Sequence, residues 1–166
     1  ALYCNFKRAD FLKYLPQDLV SYMEYITNIN RERNKKIIAQ SKDLNTLLLD
    51  NNITPIFLKG TGNLLAGIYA DNGERMVGDI DFIFSKEDYP KAITILREFG
   101  YSVVNKYKYH FPYEKHYGRL QKQNSIAAIE IHKEILNVKK HTNEFNYSFV
   151  EKDSQVINGI TVLSYA

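Results

Sequence analysis

The sequence has no tryptophan and a single cysteine, Cys4, so no disulfide forms within the chain. A lone thiol fits a reducing compartment, and the cytoplasm is the expected location. Histidine is scarce as well: four scattered residues, which together with Cys4 match no zinc-ligand spacing. No apolar run reaches the length of a membrane span, and no hydrophobic segment of the signal-peptide kind opens the chain, so no membrane partner is expected. Charge of one sign is also missing. Lysine and arginine number 22 against 19 acidic residues, and a net +3 is too mild to argue for a nucleic-acid binder by charge alone. Repeats and low-complexity tracts are absent.

What is present is the composition of a globular domain. At 166 residues, 45% of them hydrophobic, the chain is long enough to bury one real core. It begins at Ala1 rather than Met, as a processed product or an excerpt of a longer protein would.

The most informative stretch is Gly78-Asp79-Ile80-Asp81-Phe82-Ile83-Phe84. A short run rich in Ile and Phe, entered from a glycine, reads as a buried strand. Side chains two positions apart on a strand share a face, so Asp79 and Asp81 project together, opposite Ile80, Phe82 and Phe84. Two neighbouring carboxylates repel unless something positive lies between them, and a hard divalent cation such as Mg²⁺ is the natural guest. The plain alternative is a pair of acids facing water on an exposed edge.

Upstream, Phe11, Leu12, Leu15, Leu19, Tyr22, Met23 and Ile26 recur at helical spacing, with Pro16 starting a fresh helix. A second helix is expected from Ile29 to about Leu49, with Arg31, Glu32, Arg33, Lys35 and Lys36 on its wet side and Ile37, Ile38, Leu44, Leu47 and Leu48 inward. Asp50-Asn51-Asn52 stops it. Ile53 to Leu58 reads as a strand. Lys59-Gly60-Thr61-Gly62 then reads as a glycine turn before a helix with Leu64, Leu65 and Ile68 on one face. Backbone N–H groups at such a junction suit a phosphate, although glycine in a tight turn needs no ligand to explain it. Arg75 can reach a phosphate or a site carboxylate, or be a surface charge. Ser85 and Asp88 form a capping box for a helix that Gly100 closes.

Tyr101 to Phe111 alternates as a strand, and Lys115 to Gln121 as a partner for it. The interleaved Tyr, Lys and His there suit base stacking, or simply cover a sheet. Ser125 to Glu134 is a further strand that places Ala128, Glu130 and His132 on one face. A lone glutamate among Ile and Ala is costly to bury unless paired or metal-bound, so Glu130 is the candidate third carboxylate. His132 reads as a packed histidine or as a partner held behind the metal ligands. Residues 137–146 are polar and loop-like, and Asn158-Gly159 turns a two-residue hairpin within Gln155 to Val162.

The order strand, glycine turn, helix, D-x-D strand, helix, strands and glutamate strand resembles the nucleotidyltransferase superfamily with the polymerase-β-type palm. More narrowly, Phe57-Leu58-Lys59-Gly60, Arg75 to Phe84 and Ile129-Glu130-Ile131-His132 resemble a little-characterised branch in which L-K-G replaces the usual G-S and I-E-x-H carries the third acid. The resemblance covers about residues 53–135. It implies an α+β palm with a mixed sheet and flanking helices over 53–166, preceded by a helical segment over 1–52. It also implies metal-dependent transfer of NMP from an NTP to a hydroxyl of a small molecule, protein or nucleic acid, with pyrophosphate released. Asp79, Asp81 and Glu130 would be the catalytic metal ligands, holding two Mg²⁺ ions, with Mn²⁺ as the substitute. Lys59, Gly60, Thr61, Gly62 and Arg75 would bind the nucleotide phosphates, with ATP among the candidates. The missing turn serine, for which Thr61 is the nearest hydroxyl, leaves open how the triphosphate is held. The alternative is a catalytically inactive relative that binds nucleotide or a protein partner, as in a toxin–antitoxin pair.

Overall fold

The computed structural model describes residues 2–104, 116–136 and 139–164. A short helix α1 (Leu2–Arg8) and a 3₁₀ turn at Leu12–Tyr14 precede α2 (Gln17–Asp50). Pro16 sits just before the first turn of α2, as expected, but the helix runs unbroken through Ile29. No Gly or Pro interrupts residues 17–50, so nothing in the chain breaks the ladder there. The stop at Asn51-Asn52 is real: Asn52 takes a left-handed conformation (φ 59°) and Ile53 N–H returns to Leu48 O.

The remaining elements are β1 (Ile56–Phe57), α3 (Lys59–Leu65), β2 (Asp79–Ile83), α4 (Asp88–Glu98), β3 (Ser102–Val103), β4 (Leu120–Gln121), β5 (Ala128–His132), α5 (Tyr147–Lys152), β6 (Ser154–Ile157) and β7 (Ile160–Leu163). The strands form one mixed sheet in the order β3-β4-β5-β2-β1-β7-β6. β2 and β5 are parallel, as are β1 and β7, while β1 runs antiparallel to β2. The architecture is α+β with a helical N-terminal segment. Among the described residues, no helix is long and apolar enough to cross a membrane.

Period-two alternation divides the sheet into two unlike faces. Phe57, Ile80, Phe82, Phe84, Ile129 and Ile131 point to one side and meet Ile37, Leu44 and Leu48 of α2, Leu64 of α3, and Ala92 and Leu96 of α4. Phe82 contacts Phe57 and Phe84 edge-on, with ring centroids 5.6 and 5.2 Å away. On the other side Ile56, Leu58, Ile83 and Val150 make a smaller cluster. Asp79, Asp81, Glu130 and His132 share that second face. Ser85 accepts from Asp88 N–H at 3.1 Å, and Gly100 (φ 101°) with Tyr101 closes α4 by the paired bonds of a Schellman motif. The Asn158-Gly159 hairpin also forms, with both residues at positive φ. The aromatic strand expected to run to Phe111 is assigned only at Ser102–Val103, and residues 105–115 lie outside those described.

The N-terminal half of α2 departs from its apolar pattern. Phe11, Leu19, Tyr22 and Ile26 are exposed, and the inward seam is Thr27, Asn30, Asn34, Ile37, Ser41, Leu44, Asn45 and Leu48. The upper part of that seam is polar because it faces backbone, not side chains. Asn30 Nδ2 donates to Gly73 O, and Asn34 Nδ2 donates to Asn72 O and Arg75 O at 2.6 Å each. Arg33, expected on a wet face, donates to Val77 O, Gly78 O and Ile126 O, tying the entries of β2 and β5 together. Glu32, Lys35 and Lys36 are exposed, as expected.

Arg31 also leaves the wet face, donating through Nε and Nη2 to both Asp71 oxygens at 2.8 and 2.6 Å. That pairing, with the Gly73 N–H bond, brings the Asp71 pKa down to about 2 against the opposing effect of burial. A lowered carboxylate stabilises the fold above its unfolded pKa, and the contribution is lost as pH falls from about 4 through the folded value. The full linkage of about 2.4 kcal/mol is discounted to about 1 kcal/mol because both side chains are partly exposed. Asp71→Asn is therefore expected to cost that much at pH 7, with the gap to wild type closing between pH 4 and 2 in denaturant melts. A pH-independent gap would remove this role.

Candidate functional site

Parallel pairing of β2 and β5 fixes the centre of the site. The register sets Asp79 beside Ala128, Asp81 beside Glu130 and Ile83 beside His132. Adjacent strands lie about 4.8 Å apart, so Asp81 and Glu130 meet on one face. Asp81 is 7% exposed and His132 1%, the latter with its imidazole turned onto the acids. His132 Nε2–H donates to Asp81 Oδ1 at 2.9 Å and lies 3.8 Å from Glu130 Oε2. On the far side its ring meets His116 edge-on, with centroids 5.3 Å apart. Nδ1 of His132 is buried and has no hydrogen-bond partner among the described residues.

The fourth member is a cation. Lys59 Nζ lies 2.5 Å from Asp81 Oδ1, 3.8 Å from Glu130 Oε2 and 3.3 Å from His132 Nε2. Its backbone is left-handed (φ 52°), an uncommon conformation for a residue with a side chain. Burial acts to raise the Asp81 pKa, but the hydrogen bonds from His132 and Lys59 outweigh it and hold the carboxyl below its ordinary value. Asp81 is thus an anion kept inside the fold by two donors.

Asp79 stands apart from this group. Its carboxylate pairs with Arg119, from the segment leading into β4, a residue outside every motif named above. A side chain brought in from the next strand but one is visible only once the strand order is known.

The Lys59-Gly60-Thr61-Gly62 segment is the first turn of α3, not a free loop. Gly62 N–H donates to Leu58 O, and a Cβ there would lie 2.8 Å from Phe57 O, so close packing demands glycine. The fully buried Thr61 hydroxyl donates to Asp79 O at 2.8 Å. Thr61 and Gly62 therefore face the interior in this structure, with those groups already bonded, instead of offering them to a phosphate. Lys59, Gly60 and Arg75, together with Met76, Val77, Gly78, Asp79, Asp81 and Glu130, line one open cleft of about 200 Å³.

Two carboxylates and an imidazole, with an ammonium already seated among them, form a donor set that suits a divalent cation. The mixed α+β sheet with its helical N-terminal segment is consistent with a nucleotidyltransferase-type fold. A family model described as an uncharacterised nucleotidyltransferase matches residues 1–165, and the chain belongs to that family. The match takes in α1 and α2 as well as the sheet. No curated protein and no solved structure matches the chain.

Proposed function

We propose that this chain transfers NMP from an NTP to a hydroxyl acceptor and releases pyrophosphate. The observation that carries the proposal is the convergence of Asp79, Asp81 and Glu130 with Lys59, Gly60 and Arg75 on one cleft, in a member of a nucleotidyltransferase family. In the transfer, a bond forms between the acceptor oxygen and the α-phosphorus. The bond from that phosphorus to the bridging oxygen breaks, and its electron pair leaves with pyrophosphate. Glu130, which lines the cleft, would take the hydroxyl proton. Lys59 and Arg75 offset the charge of the phosphates, and Gly60 leaves room for them. Asp81, Glu130 and His132 would hold a divalent ion, Mg²⁺ or Mn²⁺, with Asp79 at its edge, and such an ion supplies positive charge to the triphosphate oxygens. The division of labour that fits this reading is a catalytic palm over 53–166 braced by the helical segment over 1–52.

The test is incubation of the protein with each α-labelled NTP, with Mg²⁺ or Mn²⁺, and candidate acceptors of small-molecule, protein and nucleic-acid type. Metal-dependent labelling of an acceptor with stoichiometric pyrophosphate release is the expected result. One observation favours a second reading: Lys59 and Arg119 already neutralise Asp81 and Asp79. A domain that only binds nucleotide or a protein partner would keep such internal pairs. NTP binding without turnover on any acceptor would select that reading, and no binding of any NTP would overturn the first.

A further inference from the structure

The cation seat in this chain contains nitrogen. Asp81, Glu130 and His132 each place one ligand atom within 4.8 Å of the others, whereas Asp79 is taken by Arg119. Atoms bound to one ion at about 2.1 Å lie about 3 Å apart when adjacent and about 4.2 Å apart when opposite. The observed separations of 2.9 Å from His132 Nε2 to Asp81 and 3.8 Å to Glu130 fall in that range. The Lys59 ammonium sits within reach of all three atoms, a built-in occupant of the seat.

Imidazole discriminates between cations where carboxylates alone do not. Mg²⁺ is hard, keeps its waters and takes oxygen, while divalent first-row transition ions accept imidazole nitrogen and bind more tightly along the Irving–Williams series. The His132 ring is locked by burial and by the contact with His116, so Nε2 already faces the acids; to bind an ion it gives up the proton it donates to Asp81, leaving the ring N–H on Nδ1. We infer that Asp81, Glu130 and His132 form a mixed oxygen–nitrogen site that selects a divalent first-row transition ion over Mg²⁺, and that the ion enters by displacing Lys59. The inference rests on the nucleotidyl-transfer reading for the purpose of the ion, though not for its seat.

Calorimetric titration of the full chain with Mg²⁺, Mn²⁺ and Co²⁺, without nucleotide, tests it. The expected order is Co²⁺ tighter than Mn²⁺ tighter than Mg²⁺, with Co²⁺ favoured over Mg²⁺ by at least about tenfold. His132→Gln should collapse that ratio to within about threefold, since the carboxylates remain. Lys59→Met, which removes the competing ammonium, should tighten all three. Equal affinities in the wild type, no binding at all, or a ratio that survives His132→Gln overturns the inference. Should His132→Gln not fold, proton NMR of the wild type decides. Sub-stoichiometric Mn²⁺ should broaden the His132 ring signals before those of His141, and no such selectivity overturns the proposal. NTP titration of the same sample separates the two ideas. Transfer with no metal selectivity sinks only this inference, whereas selective Co²⁺ binding without any NTP binding sinks only the transferase reading.

Discussion

Asp81→Asn is expected to lower nucleotidyl transfer about a hundred- to a thousandfold, the scale seen when a key electrostatic group is removed from a reaction centre. Asp81 is the residue on which the other groups converge. It accepts from His132 and Lys59, stands in register with Glu130, and lines the cleft with Gly60 and Arg75. Asparagine keeps its shape and can still accept from His132 Nε2–H, so the loss should appear in kcat without unfolding. Melting of the variant should stay within a few degrees of wild type, because the half-exposed Lys59 ammonium returns to water and His132 keeps an acceptor. Pyrophosphate release alongside calorimetric melting is the measurement. Transfer within about tenfold of wild type would remove Asp81 from the reaction centre.

Asn34→Ala is expected to give the largest loss of stability among changes outside the apolar core. Asn34 is fully buried, and its amide nitrogen satisfies two backbone carbonyls, those of Asn72 and Arg75. Alanine leaves both without a donor. Each unsatisfied carbonyl costs about 1–2 kcal/mol, so the variant should lose about 2–4 kcal/mol. That corresponds to about 10 °C in Tm for a chain of this size. Urea melts of Asn34→Ala, with the exposed Lys36→Ala as reference, check it. A loss no larger than that of Lys36→Ala would show that water replaces the amide and that the clamp on residues 71–78 is not structural.

Local rules reached far into this molecule where the chemistry is local. Period-two alternation placed Asp81 and Asp79 on one strand face and Glu130 and His132 on another. Ser85 and Gly100 bounded α4, and Asn158-Gly159 turned the last hairpin. The pairing of Asp81 with Glu130 needed the strand order, which no periodicity encodes. α2 shows the opposite failure. An apolar stripe at Leu19, Tyr22 and Ile26 matched the helical period, yet the helix turns Thr27, Asn30 and Asn34 inward, because a neighbouring loop needs donors more than the helix needs burial there. Arg33 and Arg119 were illegible for the same reason. Their partners are carbonyls of Val77, Gly78 and Ile126, and the carboxylate of Asp79, all distant in the chain. Thr61 and Gly62 illustrate a subtler limit: a glycine turn before a helix leaves its N–H and hydroxyl groups free, whereas starting α3 at Lys59 spends those groups on the fold.

The place of β1 in the sheet has a consequence for how the molecule is made. Ile56 and Phe57 hydrogen-bond on one side to β2 and on the other to Thr161 and Val162, far along the sequence. During synthesis β1 and β2 emerge before β7, and the β1 edge that faces β7 stays unpaired until the β6–β7 hairpin has left the ribosome. Non-local pairing of this kind slows folding, and an uncovered edge invites pairing with other chains meanwhile. The strand that leads to Lys59 is therefore secured on both sides only once β7 has docked. A nascent chain halted before Ile160 is a candidate for capture by chaperones, with its acids already aligned and its sheet still open.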